Sequence, residues 1–115
     1  VKPKEQCLEN GRDPELLAEN VLWPEEIIEV TPIGTNSAEI VWEWNAWDHL
    51  IQDFDASKSN FVVVSEHPEK INLNYIRPGK DGADWHHANS IHYNIELDQI
   101  MLSVLFFDEI WIIQN

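Results

Sequence analysis

Short apolar runs broken by turn residues constrain this chain more than any other feature. In the last third, "NSIHYN" (89–94), "QIMLSVLF" (99–106) and "EIWIIQ" (109–114) are three such runs, separated by "NIELD" and "FDE". Short strands of similar length with turn chemistry at each break specify an antiparallel meander. Earlier, roughly 26–31 in "WPEEIIEVTP" reads as a strand, "IGTNS" supplies turn residues, and "AEIVWEWN" reads as a second strand. There Ile40, Trp42 and Trp44 alternate with Val41 and Glu43, the period of two expected of a strand with two distinct faces. The pair predicts an antiparallel hairpin. Helix and strand patterns do not alternate, so the expected fold class is all-β and a parallel α/β sheet is disfavoured.

From 46 to 85 the periodicity fades. "AWDHLIQDFD" carries Trp47, Leu50, Ile51 and Phe54 at helical spacing and predicts a short helix. "SKSNFVVVSEHPEKINLNYIRPGKDGAD" mixes one apolar run with Pro, Gly, Asn and Lys, and reads as the rest of a long, partly ordered insertion. Residues 1–20 form a polar N-terminal segment in which Asp13 caps, and Pro14 opens, one helical turn. Two strands, an insertion and three strands fit a partial β-propeller of about one and a half blades. Residues 21–115 would then hold outer strands of one blade (26–45), the insertion (46–85) and inner strands of the next (88–114). "NSIHYN" becomes an innermost strand, with the loop before it at the mouth of a central channel. "VKPKEQCLEN" has no apolar leader and no initiator methionine, and "EIWIIQN" stops inside a strand pattern. The expectation is a piece of a longer protein whose unpaired strand edges favour self-association.

Composition then narrows the function. Apolar residues make up 43% of the chain, too many for a disordered tail. Six tryptophans in 115 residues call for dense packing or an aromatic partner, and Trp42, Trp44 and Trp47 are read first as packing. With 7 basic against 21 acidic residues the net charge is −14, which opposes binding to a phosphate backbone, so no nucleic-acid partner is expected. The single cysteine, Cys7, excludes an internal disulfide and a multi-cysteine zinc site, and it lies in the polar start with no evident base. No run approaches the ~18 consecutive apolar residues of a membrane span.

Chemistry-bearing residues concentrate in "ADWHHANSIHYN" (83–94), which holds three of the five histidines. As sequence neighbours, His86 and His87 point in opposite directions in an extended segment. His87 and Asn89 share a side, with Asp84 out of phase. A histidine and an asparagine on one face can donate to an oxyanion or a sulfuryl oxygen; equally, such residues can do no more than cap a strand entry. The H-H-x4-H spacing of His86, His87 and His92 matches no standard zinc pattern, so no metal is expected. "DFDASKSN" opens like a calcium loop, but Lys58 replaces the glycine and Val64 the bidentate glutamate, so it reads as a solvated turn. Asp48 and His49 are neighbours that need not cooperate, and Arg77 either clamps an anion or is solvated on its Pro/Gly loop. No G-x-S-x-G, Walker or GxGxxG motif occurs, and no cofactor is implied.

The run "EIVWEWNAWDHLIQDFD", then "EHPEKINLNY", then "ADWHHANSIHYNIELDQIMLSVLFFDEIWII", resembles the bacterial aryl-sulfate sulfotransferase family, whose members are larger β-propellers. The likeness spans about residues 22–114 and rests on W-E-W, W-D-H, D-W-x-H-x-N-S-I and L-D-Q-I in combination. It implies transfer of a sulfuryl group from a phenolic sulfate ester to a phenol acceptor, with no nucleotide donor. It implies a channel histidine that attacks sulfur, with further donors on the sulfuryl oxygens. Carried onto this chain, His87 and Asn89 match H-x-N-S-I and bind the sulfuryl group, and His49, beside Asp48, matches W-D-H at the entrance. The catalytic histidine is expected beyond Asn115, so the isolated chain would be inactive. A periplasmic or secreted location is implied by the resemblance alone. The alternative is a non-catalytic propeller module that binds a ligand or protein.

Overall fold

The computed structural model describes residues 1–115, and most of its regular structure is short strand. The chain opens with β1 (Lys2–Pro3), runs through the helix α1 (Lys4–Glu9), and returns as β2 (Val21–Leu22), antiparallel to β1. Between them the Asp13 side chain accepts from Glu15 N–H and Pro14 opens a 3-10 turn to Leu16, the capping that the sequence predicts. The polar start is nevertheless stitched into the core. Asn60 Nδ2 donates to the Asn10 carbonyl and Asn74 Nδ2 to that of Gly11, both at 2.9 Å. Cys7 and Leu17 are buried, so Cys7 does not sit in an exposed tail, and burial pushes its thiol pKa up. Arg12 is buried too. Its guanidinium donates to the Leu73 and Leu16 carbonyls and lies 5.5 Å from the Trp85 ring, and desolvation lowers its pKa to about 10.

The hairpin expected at 26–45 consists of β3 (Glu26–Ile33) and β4 (Ser37–Asn45), joined by a turn at 34–36. One detail of its alternation fails. Glu29 pairs with Trp42 and Val30 with Ile40, so Val41 is the extra residue of a β-bulge. Directly paired residues share a face, so the bulge turns Ile40 away from Trp42. Trp42 and Trp44 pack on the core beside Ile27, whereas Ile40 is 54% exposed.

The helix expected within 46–55 is absent. A 3-10 turn (Ala46–His49) leads directly into β5 (Leu50–Ile51), which pairs in parallel with β6 (Ile71–Asn72). Leu50 and Ile51 are adjacent and both buried, as a strand enclosed on two sides allows, while Phe54, which a helical stripe would bury with them, points out at 54% exposure. Gln52 then closes the calcium-like loop. Its Oε1 accepts from the N–H groups of Phe54 and Asp55, and its Nε2 donates to the Asp55 carbonyl and Asn60 Oδ1. A fully buried amide thus satisfies the turn, and no three His, Cys, Asp or Glu side chains gather to hold a metal.

The meander follows as β7 (Ala88–Asn94), β8 (Gln99–Val104) and β9 (Glu109–Gln114), all antiparallel with β8 central. Ile100, Leu102, Val104 and Ile113 turn inward and meet Trp85, Leu73 and Ile27 in one core; burying each such side chain contributes about 1.5–3 kcal/mol. The sheets stay separate: β1–β2, β3–β4, β5–β6 and β7–β8–β9 share no strand. The radius of gyration is 15.7 Å, against about 13 Å for a compact domain of this length. No helix is long and apolar enough to cross a membrane.

Candidate functional site

The segment before β7 carries the densest chemistry. Trp85 and His86 are buried and His87 is exposed, so the neighbouring histidines point opposite ways. The His86 ring lies 4.0 Å from that of Trp85, 5.0 Å from Phe107 and 5.2 Å from Trp111, centroid to centroid. Its Nδ1 accepts a 3.2 Å hydrogen bond from Glu25 N–H, which leaves the ring proton on Nε2, buried among aromatic rings with no oxygen acceptor. Burial, and then the Arg12 charge, push its pKa down to about 3, so His86 is neutral at any physiological pH.

His87 has the opposite character. Its φ is 51°, left-handed for a residue with a Cβ, and it precedes the strand instead of belonging to it. Its Nδ1 lies 2.5 Å from Asp84 Oδ2 and its ring stacks on Phe106 at 4.8 Å and 22°. The sequence reading had Asp84 out of phase; the chain turns between 84 and 87 instead of running extended, which brings the carboxylate onto the imidazole. The simple two-apart relation of His87 to Asn89 is broken by the strand register. Ala88 pairs with Val104 and Ser90 with Ser103, so Asn89 is the extra residue of a second bulge, exposed on the rim. It borders a cleft of about 460 Å³ with Glu25, Glu26, Ile28 and Ile91, which His87 does not line.

Two cations lie near Phe106. Lys80 Nζ sits 5.0 Å from its ring centre. Arg77 donates to the Leu105 carbonyl at 3.3 Å and stands 3.6 Å from Asp108 Oδ1, so it is engaged by its own neighbours. Bulges and left-handed residues beside polar clusters re-aim side chains, and both cluster at functional sites.

His49 stands elsewhere. It ends the 3-10 turn after β4, stacks on Trp44 at 5.0 Å and 15°, and lines a cleft of about 370 Å³ with Lys70, Glu109, Trp111 and Ile113. Burial, then the Lys70 charge, lower its pKa, with Asp48 opposing. That favours the neutral imidazole beside an aromatic wall, where one ring nitrogen donates and the other accepts. No cleft is lined by both His49 and Asn89, and none by His87. The structure therefore brings Asp84 and Phe106 to His87, and does not gather His87, Asn89 and His49 around one cavity. Asp84 is the residue the pattern missed, although its D-x-x-H spacing behind Gly82 is a local turn signal.

The geometry supplies a carboxylate-bound imidazole stacked on Phe106, which Lys80 also approaches, and an aromatic cleft lined by a second imidazole. Neither the curated proteins nor the solved structures contain a match to this chain. A family model, arylsulfotransferase (ASST), matches residues 23–114, a span that includes the W-E-W, W-D-H and D-W-x-H-x-N-S-I elements and all of β3 to β9. On that match over most of its length, the chain belongs to the arylsulfotransferase family.

Proposed function

We propose that these residues form part of an aryl-sulfate sulfotransferase that moves a sulfuryl group from a phenolic sulfate ester to a phenol acceptor through a sulfo-histidine intermediate. In this reading His87 and Asn89 donate to the sulfuryl oxygens, His49 flanks the entrance for the aryl group, and the nucleophilic histidine comes from outside residues 1–115. The strands at 26–45 belong to one propeller blade and those at 88–114 to the inner part of the next, with 46–85 inserted between them. No cofactor takes part, and the location is periplasmic or secreted.

One observation carries the reading: the family match spans residues 23–114 and takes in both histidine motifs. The chemistry supports it. Charge on sulfuryl oxygens needs fixed donors in a partly desolvated site, and an imidazole and an amide are suitable donors. Tryptophans beside His49 offer the flat apolar wall that a phenolic ring requires.

The test uses the purified chain with p-nitrophenyl sulfate and phenol. Saturable binding of the ester without release of p-nitrophenol is expected, with binding weakened about tenfold by His87→Ala, the size of one lost charge-assisted hydrogen bond. Sustained turnover by residues 1–115 would overturn the external nucleophile. Absence of binding, or binding indifferent to His87 and Asn89, would sink the site assignment.

A further inference from the structure

His87 is held through its backbone, one ring nitrogen and one ring face. Its backbone is left-handed, at φ 51°, a conformation a residue with a Cβ keeps only where its surroundings impose it. Glu25 straddles it: the Glu25 N–H donates to the ring of His86, and Glu25 Oε1 accepts the Ala88 N–H at 2.8 Å. The residues before and after His87 are thus fixed by one glutamate, and the buried His86 ring anchors the first of them among Trp85, Phe107 and Trp111. The carbonyls of His86 and His87 accept from Phe106 and Leu105 N–H. Trp23 N–H donates to the Ala83 carbonyl and pairs the backbone at Asp84, so the carboxylate that meets His87 is placed as firmly as the ring. Phe106 covers one face of the imidazole.

From these contacts we infer that Asp84, Glu25 and His86 are positioning residues for His87, and that Asp84 holds it in the Nδ1–H tautomer so that Nε2 is the only ring atom offered to a ligand. The chemistry is direct. An ionised carboxylate only accepts, so the Nδ1 facing Asp84 Oδ2 carries the proton. Nε2 is then the one remaining polar atom, an acceptor when the ring is neutral and a donor when it is protonated, so sulfuryl oxygens, which only accept, are bound by the protonated ring. His86 is the mirror case, because its Nδ1 accepts from Glu25 and its proton must sit on Nε2. Two adjacent histidines therefore hold opposite tautomers, one turned into the core and one into the site. A residue bound by a carboxylate on one nitrogen and presented on the other is the arrangement by which ring orientation and proton position are set in advance of a ligand. The inference rests on the sulfuryl-binding reading only for the identity of that ligand.

Long-range 1H–15N correlation of the imidazole rings in the 15N-labelled chain tests it. For His87 in the neutral form, the Nδ1–H tautomer is expected to dominate by about tenfold, the bias of a half-exposed hydrogen bond to a charged acceptor. His86 should show Nε2–H. Asp84→Asn, confirmed as folded by its amide spectrum, should remove most of the His87 bias and leave His86 unchanged. Glu25→Gln, which keeps the oxygen that accepts from Ala88, should preserve the bias, and Glu25→Ala should erode it. A wild-type His87 in the Nε2–H form, or a bias that survives Asp84→Asn, overturns the proposal. Adding phenyl sulfate separates the two readings. Protonation of Nε2 with Nδ1 still protonated supports both, a shift that transfers the Nδ1 proton refutes the positioning, and no shift at either nitrogen counts against sulfuryl binding while the tautomer measurement stands.

Discussion

His86 shows how much one buried ring can decide. Enclosed by three aromatic rings and facing the Arg12 charge, it is held neutral with a pKa near 3, against 6.5 for the free side chain. The unfolded chain therefore binds a proton that the folded chain refuses between those two values. Stability is complete above about pH 6.5 and falls as the pH drops toward about 3, by on the order of 5 kcal/mol over the whole window. Urea denaturation at pH 7 and pH 4 should show about 3 kcal/mol of that loss. In His86→Phe, which fills the same aromatic cage without titrating, the dependence over that window should flatten, although the variant starts weaker because Glu25 N–H loses its acceptor. The two histidines at 86 and 87 could be located from the sequence as a pair facing opposite ways. Which one turned inward could not, because that depends on Glu25, Phe107 and Trp111, all distant along the chain.

At the scale of elements, two bulges and one glutamine govern the shape. Alternation alone put Ile40 with Trp42 and Trp44, and the extra residue at Val41 separates them. The same device at Asn89 lifts that side chain onto the rim of a cleft. The loop from 52 to 61 hangs on Gln52, whose amide makes four hydrogen bonds and whose side chain passes directly under Gly11. A Cβ at Gly11 would stand 2.7 Å from Gln52 Cδ, on a backbone with φ 89°. Gln52→Ala is expected to cost about 2–4 kcal/mol, since it orphans the N–H groups of Phe54 and Asp55 and the side-chain oxygen of Asn60. Gly11→Ala should cost about 1–3 kcal/mol through strain and contact. Denaturant midpoints measure both, and faster amide exchange at Val62, whose N–H donates to the Gln52 carbonyl, would trace the glutamine effect to the loop. An ordinary mutational effect below about 0.5 kcal/mol in both variants would refute this account.

The whole molecule is open. Its accessible surface is 7438 Å², against about 6,500 Å² for a compact protein of this mass. Edge strands expose apolar side chains: Ile28, Val30 and Ile33 on β3, Ile91 and Tyr93 on β7, Ile110 and Ile112 on β9 are each about half exposed. Such edges associate, while a net charge of −14 keeps copies apart. Salt tips the balance. Sedimentation or light scattering should show larger species as sodium chloride rises from about 50 mM to 500 mM, where the Debye length shrinks to a few ångströms. A monodisperse monomer across that range would show that the edges are closed in solution.

What the amino-acid order determines unaided is local. Strand runs at 26–31, 38–45 and 89–114, their turns, the Asp13–Pro14 cap and the family motifs all reside in stretches of a few residues, where alternation and turn chemistry act directly. Tertiary structure decided the rest: the burial of Cys7, Arg12 and His86, the bulges at Val41 and Asn89, the strand in place of a helix at Leu50, and the meeting of Asp84 with His87. Each of these depends on a partner brought close by folding. Desolvation and hydrogen bonding act between neighbours in space, and only the folded chain says who those neighbours are.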